Sequence, residues 1–195
     1  MTSSETRRIT DLGTLKAISH PLRMRLYRAL FVARTATASQ LAEQVDEAVS
    51  LVSYHLRKLA AGGLVEEAEP QSTDGRERWW RPSSYGFSIH EEDLKDAPEL
   101  AAASAAFGRT VTEQRTALHA RFLDERLTWS EAWRSASISS EWLPRLTASE
   151  LAALGRELDA VIRKYDEAAR AAEAAGDTEG RENVAVHLHG FPYRP

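Results

Sequence analysis

The chain has no cysteine among its 195 residues. It can therefore form neither disulfides nor thiolate metal sites, a composition that fits a reducing compartment. No apolar run approaches the ~18 residues that a membrane-spanning helix needs. The first residues also lack the apolar core of a secretory signal. These absences lead us to expect a cytoplasmic protein.

Recognisable catalytic motifs are missing as well. The sequence holds no G-x-S-x-G, no glycine-rich phosphate loop and no H-E-x-x-H. Its many carboxylates follow no spacing typical of paired acid and base groups. We therefore expect no enzymatic activity and no bound cofactor.

Negative charge slightly exceeds positive charge overall, and the two are unevenly distributed along the chain. The formal net charge is −4, yet residues 1–90 carry 12 Lys and Arg against 10 Asp and Glu. Residues 91–195 carry 13 against 19. Nucleic-acid affinity requires a local basic face rather than a basic chain. The first half is therefore the candidate for contact with phosphate, and the acidic half is not.

The segment from Ala17 to Ser83 shows a distinctive order of elements. Helical patterns are followed by two strands, Leu64–Glu69 and Arg78–Pro82, which flank a turn containing Asp74-Gly75. Gly62-Gly63 marks the end of the last helix before the strands. This order predicts a winged helix-turn-helix, a module that lays one helix in the major groove of DNA.

The last helix of this segment is the expected recognition helix. Val52, Leu56 and Leu59 recur at helical spacing and predict its buried face. Hydroxyl, amide and basic side chains on the helices and at the wing predict base and phosphate contacts. The predicted DNA-binding residues are Thr37, Ser39, Gln40, Ser50, Ser53, Tyr54, His55, Arg57, Lys58, Arg76 and Arg78.

Three short motifs in Ala17–Pro82 resemble those of the ArsR-type winged-helix repressors. They are His20-Pro21-Leu22-Arg23 at a helix start, Ser53-Tyr54-His55-Leu56-Arg57-Lys58-Leu59 in the recognition helix, and Gly63-Leu64-Val65 entering the wing. The resemblance implies a homodimer that binds double-stranded DNA at an imperfect inverted repeat. It also implies that an effector releases the repressor from this operator.

Metal sensing, which the resemblance also suggests, has little support in the residues. Cysteine is absent, and the long helix predicted over Glu99–Leu127 offers only His119 with Asp124 and Glu125 nearby. His187 and His189 form an H-x-H pair, but zinc or nickel would need further ligands. We therefore expect no metal site.

The second half of the chain is predicted to be mostly helical. The helix Glu99–Leu127 carries a stripe of Phe107, Val111, Leu118 and Phe122, which we expect to pair with a second copy. Thr147 and Glu150 match a capping box that opens another long helix, extending to about Glu173. Its predicted inward residues are Leu151, Leu154, Leu158, Val161, Ile162 and Tyr165.

Two strands and a ligand site complete the expectations for this half. The patterns of Ser137–Leu143 and Asn183–Phe191 indicate strands. A cluster of aromatic side chains could line a pocket for a small organic effector or simply form a core. Its members are Phe122, Trp129, Trp133 and Trp142.

The expected fold is mainly α with a small β component. A winged helix-turn-helix DNA-binding domain over residues 1–90 precedes a helical dimerisation and effector region, with one or two strands, over residues 91–195. The predicted function is a dimeric transcriptional regulator, a repressor released by an organic effector. Two alternatives stay open: a winged-helix protein-interaction module that does not bind DNA, and a metal-sensing repressor.

Overall fold

The computed structural model describes residues 7–71, 77–84 and 86–194. The described chain is mainly helical, as predicted. Its helices are α1 (Leu12–Ile18), α2 (Pro21–Ala33), α3 (Ala38–Val45), α4 (Val49–Ala61), α5 (Glu91–Leu94), α6 (Pro98–Asp124), α7 (Glu131–Ala136) and α8 (Ala148–Ala174). Its strands are β1 (Arg7–Arg8), β2 (Ala36–Thr37), β3 (Val65–Ala68), β4 (Trp79–Pro82) and β5 (Phe87–Ser88).

Helices α1 to α4 pack around one apolar core. Leu26 of α2, Leu41 of α3 and Leu56 of α4 are all completely buried in it. Burial of such aliphatic side chains contributes ~1.5–3 kcal/mol each, which makes this cluster the main source of stability. The core fixes α3 and α4 in the helix-turn-helix arrangement that the sequence predicts.

A three-stranded sheet follows α4. Its strand order is β2-β4-β3, and both pairings are antiparallel. Val65 lies opposite Pro82 and Ala68 opposite Trp79, so β3 and β4 form the arms of a wing. The predicted Asp74-Gly75 turn lies outside the described residues.

Local capping explains why the helices begin where they do. Asp11 accepts a hydrogen bond from the Thr14 amide at 2.7 Å and caps α1. Thr147 and Glu150 form the predicted capping box at α8, where the Thr147 amide donates to Glu150 Oε2 at 2.7 Å. Each such cap contributes ~0.5–2 kcal/mol.

The chain divides into two compact units, Met1–Ala120 and Arg121–Pro195. The division therefore lies about 30 residues beyond the boundary predicted after residue 90. The physical reason is α6: its Leu100 and Phe107 are buried in the first unit's core, and the Phe107 ring lies 5.7 Å from that of Phe87. The first part of α6 thus belongs to the first unit.

This packing corrects the expected dimer stripe on α6. Phe107 is buried in the chain's own core and is not available to a second copy, and Val111 is partly buried against the same core. Leu118 is exposed and Phe122 is half-buried. An apolar stripe on a helix predicts burial but does not reveal whether the chain's own core or a partner supplies it.

The strands predicted in the second unit are wrong. Ser137–Leu143 and Asn183–Phe191 contain no strand, and neither segment has a ladder partner among the described residues. Alternating polarity produces an amphipathic extended segment, but a strand also requires hydrogen bonds to a neighbour. The helical prediction for this half is confirmed.

No helix in the described part of the chain is long and apolar enough to span a bilayer.

Candidate nucleic-acid interface

Helix α4 presents one face to the core and the other to solvent. Val52, Leu56 and Leu59 are completely buried, as the apolar spacing predicts. Ser50, Tyr54, Arg57 and Lys58 are exposed on the opposite side, and Ser53 is half-buried at its edge. The first turn of α4 has no side-chain cap hydrogen bond.

Internal contacts hold the two cations of α4 in place. Arg57 Nε donates to the Ser53 carbonyl oxygen at 3.2 Å. Lys58 Nζ lies 5.6 Å from the centre of the Tyr54 ring, within the range of a cation–π interaction. No carboxylate pairs with either cation among the described residues, so both charges are available to a ligand.

At the start of α3, one of the three predicted contact residues is buried. Thr37 is buried, and its hydroxyl accepts from the Gln40 amide at 3.2 Å, while Gln40 Oε1 accepts from the Thr37 amide at 2.9 Å. Thr37 is therefore a helix cap rather than an exposed contact. Ser39 and Gln40 stay exposed at the surface.

His55 also lies on the buried side of α4, away from its exposed face. Its side chain is 5% exposed, and its ring lies 4.6 Å from that of His20 at the start of α2. Burial lowers the pKa of His55, and the nearby His20 and Arg23 lower it further, whereas Glu47 opposes this. His55 is therefore buried in the protein, and its predicted DNA contact stays a prediction.

The described part of the wing is less basic than its sequence suggests. Arg78 Nη1 lies 3.2 Å from Glu67 Oε1, and its guanidinium lies 5.8 Å from the Trp80 ring centre. Arg81 pairs with Glu66 across the sheet at 2.8 Å. These exposed pairs offset much of the positive charge at the wing base. Arg76 lies outside the described residues.

Two exposed apolar residues of α4 were not among the predicted contacts. Val49 is 46% exposed and Leu51 is 39% exposed, in the first turn of the helix. Sequence reasoning assigned apolar side chains to the core and so passed over them. For Leu51, its position outside the Val52-Leu56-Leu59 spacing was the available signal, whereas Val49 continues that spacing and is exposed because it begins the helix.

An open groove separates α3 from the start of α4. It is lined by Ser39, Ala42, Glu43, Asp46, Glu47, Ala48 and Val49. Glu43 and Asp46 are exposed, and Glu47 lies 3.7 Å from Arg25. The groove is therefore acidic and repels phosphate. It marks the side of α4 that is less suited to DNA.

The predicted effector residues lie in the second unit. Phe122, Trp129 and Trp133 are half-buried, whereas Trp142 is 78% exposed. Trp142 therefore does not line an enclosed pocket within one protomer. Arg134 Nη1 donates to the Trp129 carbonyl oxygen at 2.6 Å, which fixes α7 beside Trp129.

No group of three or more potential metal ligands comes together among the described residues.

Comparison with protein families defines the class of the N-terminal half. Residues 18–68 match a family model described as a helix-turn-helix domain. This match covers α2, α3, α4 and β3, and it agrees with the sequence resemblance to ArsR-type regulators. The chain thus contains a winged helix-turn-helix domain. No curated protein matches the chain.

Several solved structures are similar to this chain. One is described as "Possible transcriptional regulator for arsenical resistance", with 27% identity over 53% of this chain and 97% of that one, at a TM-score of 0.34. The YusO protein from Bacillus subtilis has 18% identity over 60% and 82%, at 0.33. A mutant of Lactococcus lactis ZitR in its apo form has 16% identity over 79% and 91%, at 0.31.

Proposed function

We propose that the protein is a sequence-specific DNA-binding transcriptional regulator, without enzymatic activity, that acts in the cytoplasm. The observation that carries the proposal is the exposed face of α4. It combines small hydroxyls, an aromatic ring and two cations that pair with no carboxylate in the part of the chain that the structure describes. The other face of the same helix is buried in the core. Rigid support of this kind keeps contact side chains in register with base edges.

The two kinds of side chain on α4 have different tasks. Arg57 suits a bidentate contact with guanine or a phosphate, and Lys58 suits a phosphate. Ser50 and Ser53 are small enough to let the helix approach the bases closely. Phosphate contacts position the protein, and base contacts give it sequence preference.

Selection of bound duplexes from a random pool tests the proposal. Full-length protein should enrich a short inverted repeat, because two identical recognition helices read the same half-site. A protein-interaction module without DNA affinity would enrich nothing. The double variant Ser50→Asp with Arg57→Asp serves as the control, because it reverses the charge of the exposed face without touching the core.

We further propose that the regulator is a homodimer joined through α8. Leu151, Leu154, Leu158, Val161 and Tyr165 recur at alternating spacings of three and four residues, the pattern of a coiled-coil seam. No residue of α8 is buried within the protomer. The opposite face carries the ion pairs Asp159–Arg163 and Asp166–Arg170 at 2.7 and 2.6 Å. A second copy would cover the apolar seam without breaking these ion pairs.

The finer part of the proposal is a repressor released by an organic effector. Phe122, Trp129 and Trp133 are half-buried aromatic side chains of the second unit, which suits an apolar or planar ligand. Such a ligand must bind the DNA-free state more tightly, because equal affinity for both states shifts nothing. It should quench tryptophan fluorescence and lower operator affinity about 5- to 150-fold. If Trp133→Ala leaves that response unchanged, the ligand binds elsewhere.

A further inference from the structure

The recognition helix carries an apolar patch on one flank of its exposed face. Leu51 and Tyr54 are 39% and 48% exposed, and they lie three residues apart on one side of α4. Lys58, four residues further along the same stripe, lies over the Tyr54 ring. Leu51 and Tyr54 together form a small apolar patch on the helix that we expect to meet DNA.

Charge distinguishes this flank from the other one. Leu51 and Tyr54 share their stripe with Lys58, a cation suited to phosphate. Val49 is similarly exposed, but it lines the acidic groove with Glu43 and Asp46. A phosphate backbone is attracted to the first flank and repelled by the second. The Leu51 side is therefore the one that complements DNA.

Within the major groove, one base carries an exposed apolar group. Thymine presents its C5 methyl there, and apolar side chains recognise it by contact. We infer that Leu51, together with Tyr54, reads thymine methyl groups and makes Leu51 a specificity-determining residue for A·T pairs in each half-site. This inference rests on the proposed DNA-binding function and names the base that the site prefers.

Replacing thymine by deoxyuridine tests the inference without changing the protein's fold. The substitution removes the methyl group and keeps every hydrogen-bonding atom of the base pair. The probe is the duplex selected from the random pool, with its thymines replaced one at a time. The wild-type protein should bind about fourfold less tightly at one or more positions per half-site, the factor that corresponds to burying one methyl-sized group.

Protein variants then identify the reader. Leu51→Ala should lose discrimination between thymine and deoxyuridine at one of those positions. Val49→Ala, a truncation of similar exposure on the acidic flank, should retain it. Circular dichroism should show unchanged helix content in both variants, because neither side chain belongs to the core.

The outcomes separate this inference from the proposed function. Absence of any selected duplex would overturn both. Salt-sensitive binding of a selected duplex with equal affinity for its thymine and deoxyuridine forms would overturn the inference alone. Full discrimination by Leu51→Ala, or its loss in Val49→Ala only, would also overturn the assignment to Leu51.

Discussion

At the scale of single residues, exposure separates side chains that look alike in the sequence. Ser50 and Arg57 face solvent, whereas the polar His55 joins the buried side of the same helix. His55 follows Val52 by three residues, and that spacing places both on one helix face. The polar side chain of His55 suggested an exposed position, but the helical periodicity correctly predicts its burial. The same periodicity leaves Leu51 outside the core despite its apolar side chain.

Truncation of Arg57 tests the recognition face directly. Arg57→Ala should lower affinity for the selected duplex by ~1–3 kcal/mol, about 5- to 150-fold, because a bidentate base or phosphate contact is lost. Ser53→Ala should also weaken binding, by a smaller factor. Fluorescence anisotropy of labelled duplex provides the measurement, with Arg163→Ala on α8 as a control of equal charge change. Unchanged affinity in both α4 variants would remove this helix from the interface.

The His20–His55 pair predicts loss of stability in mild acid. His20 Nδ1 accepts from the Leu22 amide at 3.2 Å and caps α2. Partial desolvation lowers the pKa of His20 and burial lowers the pKa of His55, and Arg23 adds to both effects. Below about pH 6.5 the unfolded chain therefore binds more protons than the folded one. The free energy of unfolding is highest above that pH and falls as the pH drops toward the folded pKa values.

Thermal unfolding between about pH 5 and pH 7.5 checks this prediction. His20→Asn keeps a side-chain cap but cannot titrate in this range, so its Tm should fall less on acidification. Identical pH profiles for the variant and the wild type would show that His20 is not a source of the acid sensitivity.

At the scale of elements, the helices were predictable because local signals determine their ends. Asp11, Thr37 and Thr147 begin helices through side-chain hydrogen bonds to nearby amides. The wing strands were predictable because β3 and β4 are neighbours along the chain. Segments such as Asn183–Phe191 depend on a distant or absent partner, and their alternation alone did not make a strand.

The wing is expected to bind without reading sequence. Arg76→Ala should lower affinity similarly for selected and random duplexes and reduce the salt slope by ~1. Arg78→Ala should have a smaller effect, because Glu67 already pairs with that cation. Titrations of both duplexes at several salt concentrations distinguish the two variants. A loss confined to the selected duplex would mean that Arg76 contacts bases.

The seam of α8 gives a sharp prediction for assembly. Leu158→Asp with Val161→Asp should convert the protein to a monomer with weaker operator affinity, because charges on the seam oppose its burial. Val161 is 52% exposed in the protomer, so the variant should retain its own fold. Arg156→Ala, a change to an exposed side chain off the seam, is the matched control.

Sedimentation at micromolar concentration gives the oligomeric state of each form. A monomeric native protein would contradict assembly through α8. A Leu158→Asp, Val161→Asp variant that stays dimeric would place the interface on another surface, such as the exposed end of α6 around Leu118.

At the scale of the whole molecule, the two halves of the chain differ in charge and in the burial of their residues. Residues 1–90 carry a slight positive excess and hold the recognition helix, whereas residues 91–195 are acidic. The unit Arg121–Pro195 contains no buried residue among those described. The sequence could predict the helices of this unit but not what covers their apolar faces. An apolar stripe can be covered by the same chain or by a second copy, and its pattern is the same in both cases. Phe107 shows the consequence, since it was expected at the dimer interface and lies in the protomer's core.

A dimer of this kind must match the repeat of the double helix. Two recognition helices that enter successive major grooves lie ~34–36 Å apart, which sets the spacing of half-sites in the selected repeat. The same dimer would bring two sets of Arg57 and Lys58 to the phosphate backbone. Affinity should therefore depend on the release of several counterions at once.

The salt dependence of duplex binding tests the central claim most directly. The association constant of the full-length protein for its selected duplex should fall linearly on logarithmic axes as salt rises, with a slope of about −0.9 for each phosphate contacted. With at least Arg57 and Lys58 from each protomer, we predict a slope steeper than about −3. A protein that binds no duplex, or binds it independently of salt, would contradict the account.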